Sequence, residues 1–92
     1  MRYRLLASPD YHRRLARFLR RHPDIKPRYV RTIELLELNP FHPSLRLHKL
    51  SGALEGLCSV SINLAYRITL EFEIRPGEIL LVNVGSHDEV YR

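Results

Sequence analysis

The sequence predicts an α+β chain, with an N-terminal strand and a helical hairpin packed on one face of an antiparallel β-sheet. Three observations predict it. From Tyr11 to Leu36 apolar residues recur three and four apart, the spacing of a helix face. From Phe41 onward the spacing drops to two, the period of strands. Ser51-Gly52 and Pro76-Gly77 then cut the second half into hairpin-sized pieces. A length of 92 residues sets the expectation of a single domain, 1–92, with a modest core and little room for a deep pocket.

Each element has its own signal. Arg2 to Leu6 alternates, with Tyr3 and Leu5 on one face and Arg2 and Arg4 on the other, and reads as a strand. Ser8-Pro9-Asp10 starts a helix with a hydroxyl cap, a proline in the first turn and an acid at the positive end. Tyr11, Leu15, Phe18, Leu19 and His22 form its apolar face. His22-Pro23-Asp24 ends it, and Asp24 is expected to cap a second helix with Ile25, Tyr29, Ile33 and Leu36 inward and Val30 and Leu35 at the flanks. That helix stops at Asn39-Pro40, because a residue before proline leaves the helical region. Leu45, Leu47 and Lys49 then alternate with Arg46, His48 and Leu50. Cys58, Val60 and Ile62 alternate with Ser59, Ser61 and Asn63. Tyr66, Ile68, Leu70, Phe72 and Ile74 are expected inward, with Arg67, Thr69, Glu71 and Glu73 on the other face. Ile79 to Val84 is apolar on both faces, as an interior strand is.

Composition narrows the function. The lone Cys58 excludes an intrachain disulfide and fits a reducing compartment. The apolar runs are too short to span a bilayer, and Met1 to Leu6 lacks the apolar region of a signal peptide. A cytoplasmic protein without a membrane partner is expected. The net charge is +5, and all but Lys26 and Lys49 of the 15 basic residues are arginine. Arginine's planar fork binds phosphate or carboxylate in bidentate fashion, so an anionic partner is indicated, nucleic acid or acidic protein. Arg13, Arg14, Arg17, Arg20 and Arg21 share an arc of roughly 120° on the first helix. A solvated face and a docking strip both fit this arc. With only Asp10 to offset their repulsion, docking through Arg13, Arg17 and Arg20 is the sharper expectation.

Gly85-Ser86-His87-Asp88-Glu89-Val90-Tyr91-Arg92 follows the interior strand. It reads either as a polar tail or as a chemical site presented at a strand end. The face of the sheet turned away from the hairpin carries Ser59, Ser61, Arg67, Thr69 and His48. One groove would then hold two imidazoles, an arginine and a phenol. That set suits cleavage of RNA by its own 2′-hydroxyl, which needs a base, an acid and a cation on the phosphorane. Histidine titrates in the right range, and tyrosine stacks on a base or orients the phosphate. His42, His48, His87 and Cys58 lack a metal-ligand spacing, and no glycine loop for a phosphate cofactor is present, so no metal or cofactor is expected. Cys58 reads as a core thiol, Asp88-Glu89 as a solvated pair, and His12, His22 and His42 as surface or boundary residues.

His42-Pro-Ser-Leu-Arg-Leu-His48-Lys-Leu-Ser-Gly52, Tyr66-Arg67-Ile68 and Val84-Gly-Ser-His87-Asp-Glu-Val-Tyr91 together resemble the RelE superfamily of toxin–antitoxin toxins, most of all its YafQ-like and "plasmid stabilization" branch. The resemblance covers nearly the whole chain. It implies a toxin that cleaves messenger RNA on the ribosome, usually without metal, and a cognate antitoxin that neutralises it. On the matching positions it implies that His48 belongs to the catalytic set, His87 is the general acid, Tyr91 is the aromatic partner and Arg67 contacts phosphate. The pattern departs at Ser59, where that branch often has a histidine, at Asn63, near an aspartate, and at Asn83, near an arginine. The general base is thereby left open. Arg46 and Lys49 would compensate by gripping RNA, and Ser59, Ser61, Asn63 and Asn83 would contact the substrate. Two other readings share the fold: a non-nucleolytic toxin similar to the gyrase-poisoning ParE relatives, and a catalytically weak antitoxin-binding module.

Overall fold

The computed structural model describes residues 2–72 and 75–91. Five strands, β1 (Arg4–Ala7), β2 (His48–Lys49), β3 (Cys58–Ser61), β4 (Tyr66–Phe72) and β5 (Glu78–Ser86), form one sheet in the order β1-β5-β4-β3-β2. Among the described residues three α-helices accompany it, α1 (Pro9–Arg21), α2 (Lys26–Leu38) and the single turn α3 (His87–Val90). The α+β architecture is the expected one, with one correction of topology. β1 pairs with β5 in parallel, Leu5 opposite Ile79, so the sheet is mixed rather than antiparallel. The helical hairpin lies between the two strands in sequence. It supplies the long crossover that a parallel pair requires.

Local chemistry sets the helix ends. Ser8 caps α1 by accepting from the Tyr11 amide at 3.2 Å, with Pro9 in the first turn. Asp24 does not cap α2. It is drawn into a 3-10 turn, Pro23–Ile25, and so lacks the extended backbone of a side-chain cap. α2 opens on Ile25 without a side-chain cap, with Pro27 in its first turn, and stops at Asn39. The strand expected around Leu45 to Leu50 shrinks to β2, because Pro43–Leu45 coils into a 3-10 turn in which the His42 ring accepts from the Ser44 amide at 3.1 Å. The C-terminal part of the fourth expected strand, Glu73 and Ile74, lies outside the described residues.

The core lies between the sheet and the hairpin. Tyr11, Phe18, Tyr29 and Leu36 pack on Val60, Ile62, Ile68, Leu70, Ile79, Leu81 and Val84, as their spacing predicts. Val30 is the exception and stays 46% exposed. The buried phenols of Tyr11 and Tyr29 are hydrogen-bonded to each other at 2.8 Å, and burial pushes both above the ordinary tyrosine value. Among the described residues no helix is long and apolar enough to cross a membrane.

Candidate active site

The cross-strand register gathers the polar residues on the other face. His48 lies opposite Ser59, Ser59 opposite Thr69, and Thr69 opposite Asn83. One row along, Ser61 lies opposite Arg67 and Arg67 opposite Gly85. Paired residues share a face, and a long side chain reaches its diagonal neighbour. Arg67 does so, donating from Nε to Ser59 Oγ at 2.6 Å. Its Nη2 lies 3.3 Å from both the Arg46 carbonyl and His48 Nδ1.

The C-terminal residues close this face instead of fraying. Ser86 and Glu89 form a reciprocal capping box: the Ser86 hydroxyl accepts from the Glu89 amide, and the Glu89 carboxylate accepts from the Ser86 amide at 3.0 Å. The hydrogen bonds from Ser86, aided by Arg21 and His22 nearby, hold the Glu89 carboxyl below its usual range. Gly85 permits the fold-back, since a Cβ there would sit 3.1 Å from Glu89 Cβ. α3 buries Val90 and brings the Tyr91 phenol to Ser59 Oγ, to which it donates at 2.7 Å. The His87 ring meets Tyr91 edge-on, with centroids 4.2 Å apart, and its side chain is 72% exposed. His48, Arg67, Tyr91 and His87, the four residues expected to carry chemistry, are therefore linked by contact. Ser59 joins the two halves of the set.

The structure revises the supporting cast. Ser59 is fully buried, not open to a substrate, because Arg67 and Tyr91 close over it. Lys49 pairs with Cys58 and so lies on the opposite face from His48, because successive strand residues alternate. Burial raises the Cys58 thiol pKa, and Lys49 only partly offsets it, as befits a core thiol. Ser61 donates to the Asn63 carbonyl at 2.7 Å, and Asn63 Oδ1 accepts from the amides of Ala65 and Tyr66. Both side chains thus hold the β3–β4 turn. Asn83 Oδ1 accepts from the Val84 amide at 2.9 Å. Arg46 acts through its main chain. Its left-handed backbone, φ 49°, turns its carbonyl to His48 and Arg67. No local sequence signal marks an arginine for that conformation. α3 did leave a signal, the Ser-x-x-Glu spacing of Ser86 and Glu89, which the strand-then-tail reading does not use.

The arginine arc of α1 borders a separate groove of about 360 Å³, lined by Arg13, Arg14, Arg17 and Arg21 together with Asn83 and Glu89. Asp10 pairs with Arg13 and Arg14 at 3.3 and 3.0 Å. Arg20 does not line the groove. Among the described residues no three His, Cys, Asp or Glu side chains gather as a metal site would need.

No family model matches the sequence, and no curated protein does either. Solved structures do match. YafQ from Escherichia coli strain BL21(DE3) superposes with a TM-score of 0.79 at 13% identity, over 98% of this chain and 99% of that one. The toxin of the E. coli DinJ–YafQ toxin–antitoxin complex gives 0.77 at 15% identity over the full length of both chains. The YoeB–YefM complex from Staphylococcus aureus gives 0.70 at 17% identity, over 95% of this chain and 99% of that one. The chain shares the α+β fold of these solved structures.

Proposed function

We propose that this protein is the toxin of a type II toxin–antitoxin system and cleaves messenger RNA, on the ribosome, through its own 2′-hydroxyl. The observation that carries this reading is the contact-linked set of His48, Arg67, Tyr91 and His87 on one sheet face. Each step of transesterification has a group to perform it. His48 Nδ1 lies 3.3 Å from the Arg46 carbonyl. With Nδ1–H donating there, Nε2 keeps the lone pair that a base needs. It takes the 2′-hydroxyl proton as the 2′-oxygen bonds to phosphorus. Arg67 balances the charge on the phosphorane. His87 gives its proton to the 5′-oxygen as the P–O5′ bond breaks, leaving a 2′,3′-cyclic phosphate and a 5′-hydroxyl. Its exposure lets it reload from solvent.

A cognate antitoxin follows from the same reading, since DinJ–YafQ and YoeB–YefM are toxin–antitoxin complexes. The groove lined by Arg13 and Arg17 is a surface for its acidic residues. Replacing His48 and His87 singly by alanine tests the cleavage. Each is expected to cost about 10²–10⁴-fold in ribosome-dependent mRNA cleavage, read by mapping 5′ ends, and to relieve growth arrest. Full toxicity in both variants would sink the site. Growth arrest with DNA damage and intact mRNA would point to a gyrase-directed toxin instead.

A further inference from the structure

We propose that Ser59 is the positioning residue of this site: its one buried hydroxyl fixes Arg67 and Tyr91, and through them His48 and His87. The kinetic part of this inference rests on the cleavage reading above; the tether itself does not. Ser59 Oγ accepts two hydrogen bonds, from Arg67 Nε at 2.6 Å and from the Tyr91 phenol at 2.7 Å. A serine oxygen has two lone pairs, and both are used. Arg67 carries the link on to His48 through the Arg46 carbonyl, which accepts from both Arg67 Nη2 and His48 Nδ1, and Tyr91 carries it to His87 through ring contact. All four groups are therefore registered on one oxygen, held in the interior of the sheet by β3.

The chemistry of that oxygen matters. A carboxylate in its place would neutralise Arg67. A neutral acceptor fixes the guanidinium by one edge and leaves its charge for a phosphate. Nη1 has no protein partner among the described residues, which suits it to bind one. Tyr91 gives its only hydroxyl proton to Ser59, so it has none for a leaving group. Its task is to hold the His87 ring, and the proton donor is His87. Ser59 itself is fully buried and touches no substrate.

The test uses the full chain as wild type, Ser59→Ala, Tyr91→Phe and the double variant. Two readouts are taken: amide hydrogen exchange at Tyr91, whose N–H bonds the His87 carbonyl, and the kcat and KM of mRNA cleavage. Both single variants should speed Tyr91 exchange about five- to tenfold, the loss of one hydrogen bond. Ser59→Ala should lower kcat about 10–100-fold with KM nearly unchanged, the signature of misplaced groups. The double variant should lie within about threefold of Ser59→Ala alone, because the two residues act as one unit. Unchanged Tyr91 exchange in both single variants overturns the tether. Losses that multiply overturn the shared action. If the wild type cleaves no mRNA, the cleavage reading falls, and the exchange measurement still decides whether Ser59 holds Tyr91.

Discussion

On the hairpin side of the sheet Val60, Ile68 and Leu70 are wholly buried in one apolar cluster with Tyr11, Leu36 and Leu45. On the other side Ser59 and Thr69 are buried as deeply, although nothing in their composition asks for it. The first face is dry because helices cover it. The second is closed by Arg67, Tyr91 and the turn of α3, which satisfy Ser59 by hydrogen bonds rather than by apolar contact. Burial does not distinguish the two faces; what the buried atoms bond to does. A buried polar group holds its partners in place because an unmade bond there costs more than a made one gains.

Four substitutions test that difference. Leu70→Ala, on the apolar face, should lower stability by about 2–5 kcal/mol in chemical denaturation, the cost of a core cavity. Arg67→Lys, on the polar face, keeps the charge but loses the Nε donor to Ser59. Cleavage should fall about 10²–10³-fold while stability changes by less than about 1 kcal/mol. A stability loss equal to that of Leu70→Ala would make the polar face a second core and not a site.

Smaller effects sharpen the contrast. Tyr29→Phe leaves the buried Tyr11 hydroxyl without its partner and should cost about 1–3 kcal/mol by thermal unfolding, with cleavage untouched. Both phenols are raised in the fold, so their contribution is complete below the ordinary value of 10.0 and is lost as pH rises above it. Glu89 works in the opposite sense. Its folded carboxyl lies below the ordinary 4.5, so the stability it lends α3 is complete above that pH and is lost as pH falls through the lower, folded value. In Glu89→Gln, Tyr91 amide exchange should lose its acid dependence while the core amides keep theirs.

The candidate residues are more legible in the sequence than the contacts that join them. His48, Arg67, His87 and Tyr91 stand out because imidazole, guanidinium and phenol can move protons or bind phosphate. Strand alternation alone reads Ser59 as a substrate contact, because the two side chains that cover it lie 8 and 32 positions away in the chain. Charge alone assigns Lys49 to the site, whereas its alternation with His48 places it with Leu45 and Leu47, and β2 keeps it on that side, opposite Cys58. α3 could have been read from Ser86 and Glu89, but a single helical turn has no periodicity to detect.

By itself the sequence determined the period of the long elements, the ends of the helices at Ser8 and Asn39 and the apolar face of the hairpin. These depend on neighbours within a turn or a strand repeat, where backbone geometry is local. Only the tertiary structure decided that β1 joins β5 in parallel, that Asp24 does not cap and that Arg46 contributes a carbonyl. It alone made one serine hydroxyl the meeting point of Arg67 and Tyr91. Each of these rests on contacts between segments far apart in the chain. Such contacts form only when the packing of the whole domain makes them the best way to satisfy buried polar groups.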